Sequence, residues 1–318
     1  MTALSRRRFR FALWAVFAIA LASAVAWGLL TYGRHRIADR RARMQAAGWA
    51  WNADLPQPKW RISLLGDDAP YYSTSLALWH DRAMSAALAQ LPELSQVRRI
   101  NMLSASIDDA GMKRLCQLSQ LELLVVSSPY VTDRGLTELH RLKRLEWLDL
   151  ANTQISDAGL PDIERLGTLR RLCVFGSRVT NNGLDRIQEM TQLESLDLGS
   201  TQVTDAGLIK LRALTKLQMI SLSDDQITDI GMHQLSQLTK LKFLLLGGTH
   251  VTDAGLAELS DLSDLEVLSL EDTAISDASL SFFKAWPKLR FLRIANTAFS
   301  DTAVTELQKA LPGCMIGR

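Results

Sequence analysis

Residues 145–168 read LEWLDLANTQISDAGLPDIERLGT. Leu148, Asp149 and Leu150 alternate apolar, polar, apolar, the period of a short strand with one buried face. Leu160, Ile163 and Leu166 recur at helical spacing. Between them stands Ser156-Asp157, a hydroxyl and a carboxylate where a helix should begin. Either group suits the free N–H groups of a first turn, and the negative charge suits the positive end of the helix dipole. The 24 residues therefore predict a strand, a turn, a cap and a short helix.

The same unit recurs without insertion or loss. Its aspartate falls at Asp109, Asp133, Asp157, Asp205, Asp229, Asp253, Asp277 and Asp301, with Asn181 in the remaining slot. A small residue follows two positions later, at Gly111, Gly135, Gly159, Gly183, Gly207, Gly231 and Gly255, then Ser279 and Ala303. A fixed period of this length predicts a solenoid, in which each unit buries its apolar face only against its neighbours. The expected fold class is α/β: one parallel sheet on the concave face and a row of short helices on the convex face. The register also extends backwards. Ser73, Leu76 and Leu78 lie 24 residues before Val97, Ile100 and Met102, so residues 73–96 read as a degraded first repeat. Forwards, Leu311-Pro312-Gly313-Cys314-Met315-Ile316 predicts a closing edge strand. The expected solenoid is thus residues 73–318, ten repeats and a closing strand.

The pattern L-x-x-L-x-L-x-x-T-x-[VI]-[TS]-D-A-G-L-x-x-L-x-x-L, best seen at residues 145–168, 193–216 and 241–264, resembles the leucine-rich repeat family in a short 24-residue form. The family's usual Asn or Cys at the ninth position is Thr153, Thr201, Thr249, Thr273 or Thr297 here, and Ser177 or Asp225 in two copies. The resemblance implies that this column bonds the backbone of adjacent turns, work a threonine hydroxyl can do in part. With a basic N-flank at Arg6, Arg7, Arg8 and Arg10, one apolar span, an Arg-rich neck, an aromatic segment with Lys59-Trp60-Arg61 and Leu64-Leu65-Gly66-Asp67-Asp68, and repeats ending in Leu311-Pro312-Gly313-Cys314, the whole chain resembles membrane-anchored leucine-rich-repeat proteins of planctomycete-type bacteria, a group for which no defined activity is implied.

Ahead of the repeats, residues 1–10 form a basic tail with Arg6, Arg7, Arg8 and Arg10. Residues 11–32 are almost wholly apolar and uncharged, long enough to cross a bilayer as a helix. A cleaved signal peptide is the rival reading, with Ala24-Val25-Ala26 as an acceptable site. The apolar run continues past it through Trp27, Leu29 and Leu30, which favours a retained anchor. Residues 33–48 form a basic neck with Arg34, Arg36, Arg40, Arg41 and Arg43, suited to anionic headgroups. Residues 49–72 carry Trp49, Trp51, Trp60, Tyr71 and Tyr72 and are read as an N-terminal cap on the solenoid. The reading is a single-pass protein of a bacterial inner membrane, with the tail in the cytoplasm and the solenoid on the non-cytoplasmic side. Ala18, Ala22 and Ala26 have the spacing of a helix-packing face, which leaves a homo-oligomer open.

Charge divides the chain. Residues 1–72 carry 11 Lys/Arg and 4 Asp/Glu, whereas residues 73–318 carry 25 and 30. The solenoid is mildly acidic and lacks the basic stripe that nucleic acid requires, so no nucleic-acid partner is expected. Cys116, Cys173 and Cys314 are far apart and have no metal-ligand spacing. There is no phosphate loop, no H-E-x-x-H and no G-x-S-x-G. His80-Asp81 is the only close histidine–carboxylate pair. One aspartate per repeat does not converge oxygens on a point as calcium needs, so the column reads as capping. No catalysis, cofactor or metal is expected.

In L-x-x-L-x-L the third and fifth positions point away from the core. The third column includes Trp147, Arg171, Met219, Phe243, Val267 and Phe291, and the fifth includes Asp149, Leu245 and Arg293. Strands spaced about 4.8 Å apart make these columns continuous stripes. Met219, Phe243, Val267 and Phe291, with Leu245 alongside, place apolar side chains where water is expected. An apolar patch rimmed by charge marks a binding site, and aromatics with arginine are typical of its energetic centre. These nine residues are the candidate site for an unidentified protein partner. Two alternatives are a self-associating structural envelope protein and a regulatory module of an enzyme complex.

Overall fold

The computed structural model describes residues 75–77, 97–102 and 107–318. The anchor expected at 11–32, the neck at 33–48 and the aromatic cap at 49–72 lie outside them. The described residues fall within one compact unit, Trp60–Arg318. None of their helices is long and apolar enough to cross a membrane.

Eleven strands form one parallel sheet in strict chain order. They are β1 (Ser75–Ala77), β2 (Arg99–Met102), β3 (Leu123–Val126), β4 (Trp147–Asp149), β5 (Arg171–Cys173), β6 (Ser195–Asp197), β7 (Met219–Ser221), β8 (Phe243–Leu245), β9 (Val267–Ser269), β10 (Phe291–Arg293) and β11 (Met315–Gly317). Each residue pairs with the one 24 positions on, from Ser75 with Arg99 to Phe291 with Met315. The central column, Leu124, Leu148, Leu172, Leu196, Ile220, Leu244, Leu268 and Leu292, is wholly buried. Each such side chain contributes about 1.5–3 kcal/mol by leaving water.

The opposite side carries helices of one to three turns. They are α1 (Asp109–Leu115), α2 (Leu160–Glu164), α3 (Leu184–Ile187), α4 (Asp205–Leu208), α5 (Asp229–Leu235), α6 (Asp253–Ala257) and α7 (Asp301–Ala310), with 3-10 turns in the remaining repeats. Segments this short are not stable alone. They persist because Leu160, Leu184, Leu208, Met232 and Leu256 are buried against the sheet.

The aspartate column does something different from capping its own helix. The hydroxyl just before it is the cap: Thr228 Oγ1 accepts from the Ile230 N–H at 3.3 Å and Thr252 Oγ1 from the Ala254 N–H at 3.2 Å. The carboxylate reaches forward into the next repeat. Asp229 accepts from both the N–H (2.7 Å) and the hydroxyl (2.6 Å) of Thr252. Asp133 does the same to Ser156, at 2.8 and 2.7 Å. Asp109, Asp157, Asp205 and Asp253 repeat it on Thr132, Thr180, Thr228 and Ser276. The column is therefore a run of staples between turns, beside a thin second parallel ladder at Thr132–Gln154 and its equivalents. The Ser300 N–H and hydroxyl hold Asp277 below the usual carboxylate range. That contribution is present above the ordinary carboxylate value and is lost as pH falls through the lowered one.

Staple and glycine belong together. A Cβ on Gly159 would sit 2.6 Å from Asp133 Oδ1, and one on Gly231 2.5 Å from Asp205 Oδ1. The glycine is needed because the preceding repeat's carboxylate lies against its Cα.

Asn181 breaks the chemistry in one place. Its Oδ1 accepts from the Thr204 N–H at 2.9 Å, but its Nδ2 donates to Thr204 Oγ1 at 2.8 Å. The hydroxyl then makes no cap bond, unlike its counterparts. Asn181→Asp is expected to let that hydroxyl donate to the carboxylate and free a lone pair for the Ala206 N–H. The gain should be about 1 kcal/mol in urea unfolding; a loss of stability would contradict this account of the ladder.

After each of β4 to β10 the chain turns through one left-handed residue: Asn152, Gly176, Ser200, Asp224, Gly248, Asp272 and Asn296, with φ between +54° and +71°. Asn, Asp and Gly tolerate this region better than other residues. The ninth column meets the expectation at one pair, where Asp225 accepts from the Thr201 N–H of the adjacent turn at 2.7 Å, and differs from it at four threonines. Thr153, Thr249, Thr273 and Thr297 donate to the carbonyl three residues back, just past the end of their own strand, not to a neighbouring turn. That carbonyl is simply within reach of the hydroxyl once the left-handed residue has turned the chain.

Candidate protein-binding face

The solvent face of the sheet is built by β2–β11, whose odd positions project away from the leucine column. In the third column Leu123, Trp147, Met219, Phe243 and Phe291 are half-buried, and Arg171 is exposed. Val267 is only 4% exposed, a correction to its expected place at the surface. It is hemmed in by Phe243 on β8 and Phe291 on β10, its direct neighbours in the register. The accessible apolar stripe is therefore two aromatic ridges with Val267 as the floor between them. Met219 continues it on one side, where its sulfur accepts from Ser195 Oγ at 3.4 Å. Met315 continues it on the other and is 67% exposed. Met315 was legible, since it lies 24 residues beyond Phe291, but the closing strand was read for its core position alone.

A second cluster surrounds Trp147. The Arg171 guanidinium carbon lies 5.1 Å from the centre of the indole ring. An arginine so held keeps its donors free for a partner while its flat face covers the ring. In the fifth column Asp149 is buried, another correction to its expected exposure. Its Oδ1 accepts from the Ala151 N–H at 3.0 Å, so the carboxylate folds back onto its own turn. Asp197 does likewise to the Gly199 N–H at 3.0 Å, and the Cys173 thiol donates to Asp197 Oδ2 at 3.7 Å. Burial pushes the Asp149 carboxyl up to about 6, with Asp197 adding to the effect and the Ala151 bond opposing it. Burial also raises Asp197, against its bond to Gly199. The Cys173 thiol is held well above its ordinary value by burial between these two carboxylates, which makes it an inert thiol.

Leu245 and Arg293 complete the predicted set, both half-buried. Arg293 Nη2 pairs with Glu271 Oε2 at 2.6 Å. Burial raises the Glu271 carboxyl; Arg293 opposes this, and Asp272 and Asp224 add to it. Glu271 was not singled out from sequence because it sits in the turn, beyond the strand positions considered. It lies across Gly247, where a Cβ would meet its Cγ at 2.8 Å. Among the described residues no group of three or more His, Cys, Asp or Glu is arranged to hold a metal.

The structure thus brings the nine candidates onto one face but as two clusters. Trp147, Asp149 and Arg171 lie on β4 and β5; Met219, Phe243, Leu245, Val267, Phe291 and Arg293 lie on β7–β10. Ser195 and Asp197 on β6 separate them.

A strict one-strand, one-turn, one-helix repeat around a leucine column defines a leucine-rich-repeat fold. The leucine rich repeat family model matches residues 191–251. The fold is similar to that of an internalin (InlF) from Listeria monocytogenes, at 21% identity and a TM-score of 0.52, covering 71% of this chain and 68% of that one. At this identity the likeness is one of fold. Internalin C2 of the same organism aligns at 27% identity over 74% of this chain and 93% of that one, with a TM-score of 0.49. A plant peptide hormone receptor, RGFR1, in complex with RGF2 aligns at 16% identity over 76% of this chain and 37% of that one, with a TM-score of 0.45. No curated protein matches the chain.

Proposed function

We propose that the solenoid is a protein-binding module whose partner lies across the sheet face, and that residues 11–32 anchor it in a membrane. One observation carries the binding reading. Phe243 and Phe291 stand half-buried on either side of Val267, on a face that no other element of the described residues covers. A pair of aromatic ridges with a filled floor is a ready seat for an apolar side chain, and Arg171 on Trp147 supplies a polar anchor beside it. The reading involves no catalysis. The uncharged run at 11–32 and its arginine flanks support the anchor, and the short basic tail supports a cytoplasmic N-terminus.

The test is capture of a partner by the full chain in detergent, before and after Phe243→Glu with Phe291→Glu. Aromatics at an interface centre contribute about 2 kcal/mol or more each, so affinity should fall on the order of a thousandfold. The far-ultraviolet circular dichroism should not change. Ile230→Glu, at a residue 75% exposed on the helical side, should leave binding intact. Undiminished capture by the double variant would remove this face from consideration. Protease access to the solenoid in intact cells checks its side of the membrane.

A further inference from the structure

The ninth column is not uniform: Ser177 Oγ has no partner, Thr201 donates to Asp225, and Asp225 is its one carboxyl. Thr153, Thr249, Thr273 and Thr297 donate their hydroxyls to the carbonyls of Leu150, Leu246, Leu270 and Ile294, at 2.7, 2.6, 2.5 and 2.7 Å. In the same slot β7 is followed by Asp225, and the matching carbonyl is that of Leu222, which already receives the Asp225 N–H at 3.3 Å. An ionised carboxylate has nothing to donate there. Asp225 is only 2% exposed. Its Oδ1 accepts from the Thr201 N–H (2.7 Å) and from the Thr201 hydroxyl (3.2 Å). Its Oδ2 is buried and has no hydrogen-bond partner.

The surroundings offer no positive charge. Asp197 on β6 and Asp224 in the same turn both face it as carboxylates. Ser200, in the turn below, donates its hydroxyl to Asp224 at 3.3 Å. The turn above, Gly247-Gly248-Thr249, carries no charge, and His250 beyond it is exposed. Among the described residues no lysine or arginine forms an ion pair with Asp225.

We propose that Asp225 is a proton site built into the repeat: its carboxyl stays neutral at pH 7, and Oδ2–H donates to the Leu222 carbonyl as the threonine hydroxyls do elsewhere. A neutral acid supplies both things the slot asks for, an acceptor for Thr201 and a donor for the strand. Ionisation leaves a buried charge beside two further carboxyl groups, with Oδ2 unpaired. Burial pushes the carboxyl up to about 8 against the two bonds from Thr201, with Asp197 and Asp224 adding to it. The folded value is raised, so this stabilisation is full below the ordinary carboxylate range. It is lost as pH rises towards about 8, because unfolding then releases the proton. The turn lies at the end of β7, the first strand of the second cluster, so its loosening at alkaline pH falls at the edge of that cluster.

Proton release on unfolding tests this directly. The full chain is unfolded in a calorimeter at pH 7 in buffers of different ionisation enthalpy. Wild type should release about one proton more than Asp225→Asn, whose amide keeps the acceptor and supplies a permanent donor. Between about pH 5 and 7 the wild-type unfolding equilibrium constant should rise about tenfold per pH unit more than that of the variant. Asp225→Thr, which restores the residue of the neighbouring repeats, should behave like Asp225→Asn. Equal proton release by wild type and both variants would show that Asp225 is ionised in the fold and would overturn the proposal.

Discussion

Gly231→Ala is expected to destabilise the solenoid by about 3 kcal/mol, although helix propensity alone would make it stabilising by about 1 kcal/mol. Gly231 lies within α5 and has an ordinary helical backbone, so the usual argument from glycine's flexibility does not apply. What forbids a methyl group is the repeat below. A Cβ there would lie 2.5 Å from Asp205 Oδ1 and 2.7 Å from a Leu208 methyl. Asp205 is fixed by the Thr228 N–H (2.9 Å) and hydroxyl (2.6 Å) and has no room to withdraw without breaking both bonds. Overpacking therefore adds to the loss of a paired staple. Gly167 is the matched control: a Cβ there meets nothing within 4 Å. Gly167→Ala should be neutral or stabilising by less than about 1 kcal/mol. A cycle with Asp205→Ala isolates the cause. The two changes should be markedly non-additive, because the clash is absent once the carboxylate is gone. Additive effects in urea unfolding would refute the coupling of staple and glycine.

Trp286→Ala should cost about 4 kcal/mol. Trp286 stands where Leu262 stands one repeat earlier, and it is wholly buried. Its ring meets Phe283 edge-on, centroids 5.5 Å apart at 84°, and Phe283 in turn meets Phe299 at 6.0 Å. The indole N–H also donates to the Leu259 carbonyl at 3.1 Å, which ties the penultimate repeat to the one before it. Alanine leaves a cavity and removes one of the two bonds to the Leu259 carbonyl, which keeps the Leu262 N–H. Trp286→Leu restores the residue of the earlier repeats and should recover part of the loss, since leucine fills some of the volume but cannot make the bond. A cost below about 1 kcal/mol for the alanine variant would mean that this end of the stack is frayed rather than closed.

Both predictions turn on contacts between neighbouring repeats, 23 to 27 residues apart in sequence, and that separation explains which parts of the fold were legible. Strand register and the leucine column follow from a period that can be counted, because a stack of equal turns places residue n beside residue n + 24. The sheet-facing columns followed by the same count, and the nine candidate residues do share one face. Their exposure did not follow. Val267 and Asp149 sit at outward positions and are buried all the same, one by aromatic neighbours, the other by bending onto Ala151. Alternation gives the direction of a side chain from the strand and says nothing about what its neighbours cover.

The aspartate column makes the same point. Read within one repeat, Ser156-Asp157 offers two acceptors at a helix start, and nothing local chooses between them. Only the stacked structure assigns the hydroxyl to its own helix and the carboxylate to Thr180 of the next turn. The sequence by itself determined the repeat, its period, the order of the strands and the stripe that faces outward, because these depend on spacing along one chain. The tertiary structure alone decided the partner of each carboxylate, the need for glycine beside it, the burial of Val267 and the isolation of Asp225. Each of these depends on the few ångströms between adjacent turns, a distance set by packing and not encoded in any single repeat.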